Sequence, residues 1–144
     1  MIDQRLAPYG VLLLRVALGA MFIAHALLKY VVFTIPGFAG FMAQVGFPSF
    51  LAWPVFLAEL LGGVAIVLGV YSRLVAALLV PVLLGALLVH VPNGWLFTAP
   101  NGGWEYPAFL VIAAIAHALA GDGAFALKPS PDLAAARRAE TVRA

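Results

Sequence analysis

Four long apolar runs, at about 9–33, 50–70, 73–92 and 104–121, dominate the pattern of hydrophobic and polar positions. Apolar stretches of about 20 residues match the helix needed to cross ~30 Å of hydrocarbon. The pattern predicts an all-α integral membrane protein, a four-transmembrane-helix bundle. Leu6 and Pro8 precede the first run, and Pro36 and Gly37 are expected to end it. Tyr71-Ser72-Arg73 is so short a turn that the second and third helices must be antiparallel neighbours. Pro81 lacks a backbone donor and is expected to kink the third helix.

Two connections carry patterns of their own. In "PGFAGFMAQVGFP" (36–48), Phe38, Phe41, Met42 and Val45 recur at i, i+3, i+4, i+7, with Gln44 off that stripe. This spacing predicts a short helix between helices 1 and 2, lying in the membrane interface. In "PNGWLFTAPNGG" (92–103), two Pro-Asn-Gly turns enclose an aromatic patch, and Trp95, Phe97, Trp104 and Tyr106 suit the headgroup level.

Composition sharpens this picture. Of 144 residues, 65% are hydrophobic and 10% charged, with a mean hydropathy of +1.07. A soluble domain carries charge on roughly a quarter of its residues. The first run is too long for a signal-peptide core, lacks a small-residue cleavage site and contains Arg15, so it is expected to be retained. The absence of cysteine excludes disulfides, thiolate metal sites and Cys-ligated clusters. The pI of about 9.3 arises from few charges and bears on membrane orientation, not on nucleic acid.

Arg5, Arg73, Lys128, Arg137, Arg138 and Arg143 all fall on the side of both termini and the 71–73 turn, whereas 34–49 and 93–103 carry no Lys or Arg. The positive-inside rule then predicts a multi-pass protein of the bacterial cytoplasmic (inner) membrane with both termini cytoplasmic. Residues 1–121 form the membrane domain and 122–144 a cytoplasmic tail, expected to be solvated.

Against this background the buried charges stand out. Counted from the outer end at ~1.5 Å per residue, Lys29 is ~6 Å deep, His25 ~12 Å, Arg15 ~27 Å and Glu59, on the second helix, ~13 Å. His90 and Glu105 lie within a turn of that end, and His117 near the cytoplasmic end of helix four. At 100° per residue, His25 and Lys29 differ by about 40° and Arg15 falls within about 80° of His25, so the three share one face. Ionisable groups at such depths cost at least ~2.5–3.5 kcal/mol each and normally face the bundle interior in pairs.

The expected pairs are Arg15 or His25 with Glu59, and Lys29 or His90 with Glu105. Glu59 opens the run "AELLGG", whose Gly62 and Gly63, with Gly69, permit close helix approach. Two readings stay open: a structural ion pair between packed helices, or an outward-opening polar site. His117 reads as an interfacial anchor. Glu105 also complements the N-terminus of its own helix.

Four blocks, "LLLRVALGAMFIAHALLKY", "GFAGFMAQVGFPS", "LAELLGGVAIVLGVYSRLVA" and "VHVPNGWLF…NGGWEYP", together resemble the DoxX family of small bacterial membrane proteins. The likeness covers about 9–121; Ala26 departs from the Gly that relatives commonly carry after the His. The family is similar to the quinone-linked membrane subunit of an archaeal thiosulfate oxidoreductase, and some members are linked to membrane complexes that resist oxidative stress. The resemblance implies a quinone-interacting oxidoreductase or the membrane subunit of a redox complex.

In that chemistry His25 and Glu59 are the candidate catalytic residues, His25 as proton donor and Glu59 as the group that orients and reprotonates it. Arg15, Lys29, His90 and Glu105 are candidate substrate-binding residues, and Phe22, Phe38 and Phe41 candidate ring contacts for quinone. Neither a metal site nor a nucleotide-binding pattern is evident, so electrons come from a small donor or a redox partner subunit. The alternative is a non-enzymatic bundle that binds lipid or a small anion, or docks a partner enzyme; a homo-oligomer is open under either reading. A transporter needs alternating access, which four helices without an internal repeat would reach only as a dimer.

Overall fold

The computed structural model describes residues 3–131; Arg137, Arg138, Arg143 and the rest of the expected tail lie outside the described residues. Five α-helices follow in order: α1 (Ala7–Leu27), α2 (Ile35–Gln44), α3 (Ala52–Leu68), α4 (Ser72–His90) and α5 (Glu105–Ala120). A π-helical turn, Leu28–Val32, extends α1, and short 3₁₀ turns at Ser49–Leu51 and Val91–Asn93 adjoin α3 and α4. Three helical stretches, Ala7–Val32, Ser49–Leu68 and Ser72–Asn93, are long and apolar enough to cross a membrane. The fourth apolar helix, α5, has 16 residues.

Around the ring, α1 packs on α3, α3 on α4, α4 on α5, and α5 back on α1. The core has two parts. Leu18, Phe22, Ile66, Leu79, Leu83 and Val111 fill one, and Ala26, Phe38, Met42, Ala52 and Phe56 the other. Ala26 is 0% exposed, so the methyl that stands where the family resemblance implies a glycine is wholly packed.

The first helix ends differently from expectation. Pro36 and Gly37 do not terminate it; they open α2, where Thr34 caps the helix by accepting from the Gly37 amide at 3.3 Å. Proline is tolerated in a first helical turn because its missing donor has no intrahelical partner there. The buried stripe of α2 is Ile35, Phe38 and Met42, while Phe41 and Val45 are exposed on its flank. Pro81 does not interrupt α4, which is continuous from Ser72 to His90.

The α1–α3 contact is set by two glycines. A Cβ on Gly63 would stand 2.9 Å from the Gly19 carbonyl oxygen, and one on Gly19 2.8 Å from that of Gly63. Backbones this close leave no room for a methyl. Gly63→Ala is therefore expected to cost about 1–3 kcal/mol in thermal unfolding in mild detergent. Gly40→Ala, where nothing lies within 4 Å of the added Cβ, should be near neutral.

At the end carrying the N-terminus, residues 122–131 do not leave as a solvated tail. Val70 and Lys128 form a parallel bridge, and the Leu127 and Lys128 amides donate to the Leu68 and Gly69 carbonyls at 3.2 and 3.0 Å. Gly69, at φ +70°, is obligatory here: a Cβ would meet the Ala126 backbone and the Arg15 guanidinium.

Candidate functional site

Opposite that end, among the 33–51 and 91–104 connections, a cavity of about 1620 Å³ opens between the helices. His25, Lys29, Glu59, His90 and Glu105 all line it. The aromatic residues Phe22, Phe38 and Phe41 line it too, and so do Trp104 and Tyr106. Arg15 does not.

The pairing inside the cavity differs from the expected one. Lys29 Nζ donates to both Glu59 carboxylate oxygens, at 2.6 and 2.9 Å, and approaches the His25 carbonyl oxygen at 3.5 Å. Depth counted at Cα placed His25, not Lys29, level with Glu59. Helical side chains lean toward the N-terminus of their own helix. On the antiparallel α1 and α3, Lys29 therefore leans inward and Glu59 outward, and a full turn of offset closes. The ammonium also lies 5.4 Å from the centroid of the Phe38 ring, which covers the pair. With its donors engaged and its charge matched, Lys29 is not a free cation for an anionic ligand.

His25 Nδ1 is 2.8 Å from the Met21 carbonyl oxygen, and His90 Nδ1 is 2.7 Å from that of Ala86. Both bonds reach back one helical turn, so each imidazole is held by its own helix. The His25 ring stacks on Tyr106 with centroids 5.8 Å apart at 25°, and the Tyr106 hydroxyl points at Met21 Sδ, 2.8 Å away.

Glu105 pairs with neither Lys29 nor His90. Its Oε1 accepts from the Phe97 amide at 2.8 Å, its own amide donates to the Trp95 carbonyl at 3.1 Å, and Asn93 Nδ2 donates to the Gly102 carbonyl at 2.8 Å. These bonds, with Trp95 and Trp104 edge-to-face at 4.4 Å, fold the 91–104 connection over the cavity mouth. Replacing the carboxylate by an amide turns one acceptor oxygen into a possible donor facing a donor. Glu105→Gln is thus expected to loosen this connection, read as faster amide exchange at Phe97, while the helical core keeps its protection.

Arg15 belongs to a second polar cluster at the opposite end. It is 2% exposed, and its guanidinium donates to the Asp122 carbonyl at 2.5 Å and the Phe125 carbonyl at 3.4 Å. Neither Glu59 nor any cavity group reaches it. Sharing a face with His25 did not mean sharing a level, because ten residues separate them by ~15 Å of rise.

His117 is not an interfacial anchor: it is 0% exposed and bonds Ser72 Oγ at 3.2 Å. Ser72 in turn donates to Asp122 Oδ1 at 2.7 Å, and the same carboxylate accepts from the Arg73 and Ser130 amides and the Ser130 hydroxyl. Arg73, expected as a turn charge, reaches across to the Ala118 carbonyl at 3.0 Å. Burial alone would push the Asp122 carboxyl up, but the hydrogen bonds from Ser72, Ser130 and Arg73 outweigh it and hold the group below its ordinary value of 3.8.

A lowered carboxyl pKa means that the folded state favours the ionised form. The stabilisation is full above the ordinary value and disappears as pH falls through the lower, folded one. Asp122→Asn should lower the unfolding temperature at pH 7 and flatten its decline below about pH 4.

Sequence reasoning missed Asp122, read Ser72 only as part of a short turn and read Tyr106 only as a membrane-belt aromatic. The short Gly-Asp-Gly after α5 marks a turn, but no local pattern joins it to Arg15.

A cavity with a buried ion pair, two helix-held imidazoles and aromatic walls invites comparison with known proteins. The chain is 35% identical over 121 residues to the Bacillus subtilis (strain 168) protein named "Putative oxidoreductase CatD", covering 83% of this chain and 85% of that one. No solved structure matches it. The family model DoxX matches residues 10–91, and by this match and that identity the chain is a helical membrane protein of the DoxX family.

Proposed function

We propose that this protein is a quinone-interacting oxidoreductase, or the membrane subunit of a redox complex, whose site is the cavity between α1, α3, α4 and α5. The observation that carries the reading is the pair of imidazoles on its wall, each fixed through Nδ1 to its own helix with Nε2 left for a ligand. Flat aromatic walls and exchangeable protons in one apolar space fit a redox-active aromatic ring. A quinone supplies two-electron, two-proton chemistry. His25 and His90 are the wall groups able to take up or release a proton at Nε2. The Lys29–Glu59 pair fixes a dipole beside His25 in a medium where it acts strongly, and Phe22 and Phe41 offer ring faces. Electrons come from a small donor or a partner subunit.

In this reading α5 is the fourth span, its ~24 Å of helix being extended by the flanking Trp104 and Gly121. α2 lies at the interface, the cavity opens to the outer face, and both termini are cytoplasmic in the inner membrane.

Mass spectrometry of protein purified in mild detergent is expected to find a bound quinone or its quinol. His25→Ala and His90→Ala should each lose most of it. Full retention in both variants would sink the assignment. The cavity also exceeds the roughly 300–1,000 Å³ common for small-ligand pockets, which favours a long-chained occupant and gives a second reading, a lipid-binding bundle without turnover. A phospholipid in the same spectrum would decide for it.

A further inference from the structure

The wall of the cavity has an uneven hydrogen-bonding character. A carbonyl oxygen only accepts, so the bonds from His25 to the Met21 carbonyl and from His90 to the Ala86 carbonyl place the proton on Nδ1 in both rings. In the neutral imidazole, Nε2 then carries a lone pair and no hydrogen. Neither Nε2 has a protein partner among the described residues, and neither is a sealed-off polar atom. The Glu105 Oε2 is likewise unpartnered among the described residues, since Phe97 takes only Oε1.

The strongest donor nearby is already spent. Lys29 gives its hydrogens to Glu59 and toward the His25 carbonyl. Of the remaining donors at the wall, the one on a helix, the Tyr106 hydroxyl, is turned to Met21 Sδ at 2.8 Å, and the others, the indoles of Trp95 and Trp104 and the amide of Asn101, sit on the 91–104 connection. The rigid, helix-borne part of the site therefore offers acceptors. A ligand that only accepts, such as one with two ring carbonyls, leaves those lone pairs unmet in an apolar space, which costs more than the bonds themselves are worth.

We infer that the cavity selects the reduced, hydroxyl-bearing form of its aromatic ligand, an aromatic diol, with His25 Nε2 and His90 Nε2 as the acceptors of its O–H groups. This rests on the reading of the cavity as a site for a redox-active aromatic ring and adds which form of that ring it holds. It reverses the role given to His25 from sequence: in the tautomer set by the Met21 carbonyl, the neutral imidazole accepts at Nε2 and does not donate there.

The test uses three probes that share one skeleton: a decyl-substituted 1,4-benzohydroquinone kept reduced under nitrogen, the matching quinone, and the matching dimethyl ether. Each is titrated calorimetrically into the full chain in lipid nanodiscs, with protein-free discs subtracted so that partitioning into lipid cancels. The diol should bind about tenfold or more tighter than both the quinone and the ether, the difference expected for two hydrogen bonds in a dry site. His25→Phe, which keeps a ring against Tyr106, and His90→Phe should each narrow the gap between diol and quinone about threefold or more. Equal or tighter binding of the quinone or the ether overturns the selection while the cavity's reading stands. If none of the three binds, that reading falls and the inference with it.

Discussion

Lys29→Met is expected to destabilise the protein by about 3–5 kcal/mol, the cost of leaving one member of a buried ion pair behind. Glu59 sits 5% exposed with both carboxylate oxygens turned to Lys29 Nζ. Once the ammonium is gone, no other cation among the described residues bonds that carboxylate, which must stay ionised in an apolar setting or take up a proton. Glu59→Gln should have a smaller effect in the same direction, because the amide oxygen still accepts from Lys29.

The informative variant is the double one. Replacing a whole buried pair by apolar groups of similar volume is often neutral or stabilising, so Lys29→Met with Glu59→Leu should recover most of what Lys29→Met loses. Thermal unfolding in mild detergent reads all three. A double variant no better than the single one would show that Lys29 matters by packing on Phe38 and not by charge. Recovery of stability should not restore ligand retention, since the dipole beside His25 would be gone. The pair is then a fixture of the site as well as of the fold, and the two measurements separate those roles.

What could be read from the sequence follows what each feature depends on. The apolar runs were legible because hydrocarbon thickness fixes their length, and the observed helices begin and end within a few residues of them. The stripe on α2 was legible in part: of the four residues placed on it, Phe38 and Met42 are buried but Phe41 and Val45 are exposed, and Ile35, which completes the buried face, was not among them. Depth along a helix located the cavity residues on the same principle, since rise per residue is nearly constant. The partners of the charges were not legible. Whether Lys29 meets Glu59 or Glu105 depends on the direction in which side chains lean on antiparallel helices, a term of several ångströms that counting at Cα omits. Asp122 escaped for a different reason: it is 107 residues from Arg15 and 50 from Ser72, and one acid among turn glycines carries no periodicity. Close helix approach was signalled by Gly63, but its counterpart Gly19 gained meaning only from the contact.

The two polar clusters should be energetically separable, and Arg15→Met tests this at the second of them. The substitution keeps most of the apolar stem and removes the hydrogen bonds to the Asp122 and Phe125 carbonyls. Those carbonyls belong to the segment that closes the end of the bundle. Bonds to a charged donor contribute about 1.5–3 kcal/mol each, so roughly 3 kcal/mol of local stability is at stake. Loss on that scale should speed amide exchange on the order of 100-fold. The amides to follow are Ala124, Leu127 and Lys128, which donate to the Pro8, Leu68 and Gly69 carbonyls and are freed only when the segment lifts. The cavity should be indifferent, because Leu18, Leu79, Leu83 and Val111 form packed apolar core between the two ends, and a helix residue at position 15 stands ~21 Å from one at 29. Ligand retention by Arg15→Met equal to that of the unaltered protein, together with faster exchange at 124–128, would establish Arg15 as a clasp for the 122–131 segment. Unchanged exchange, or loss of ligand without it, would return Arg15 to the binding site where its helical face first placed it.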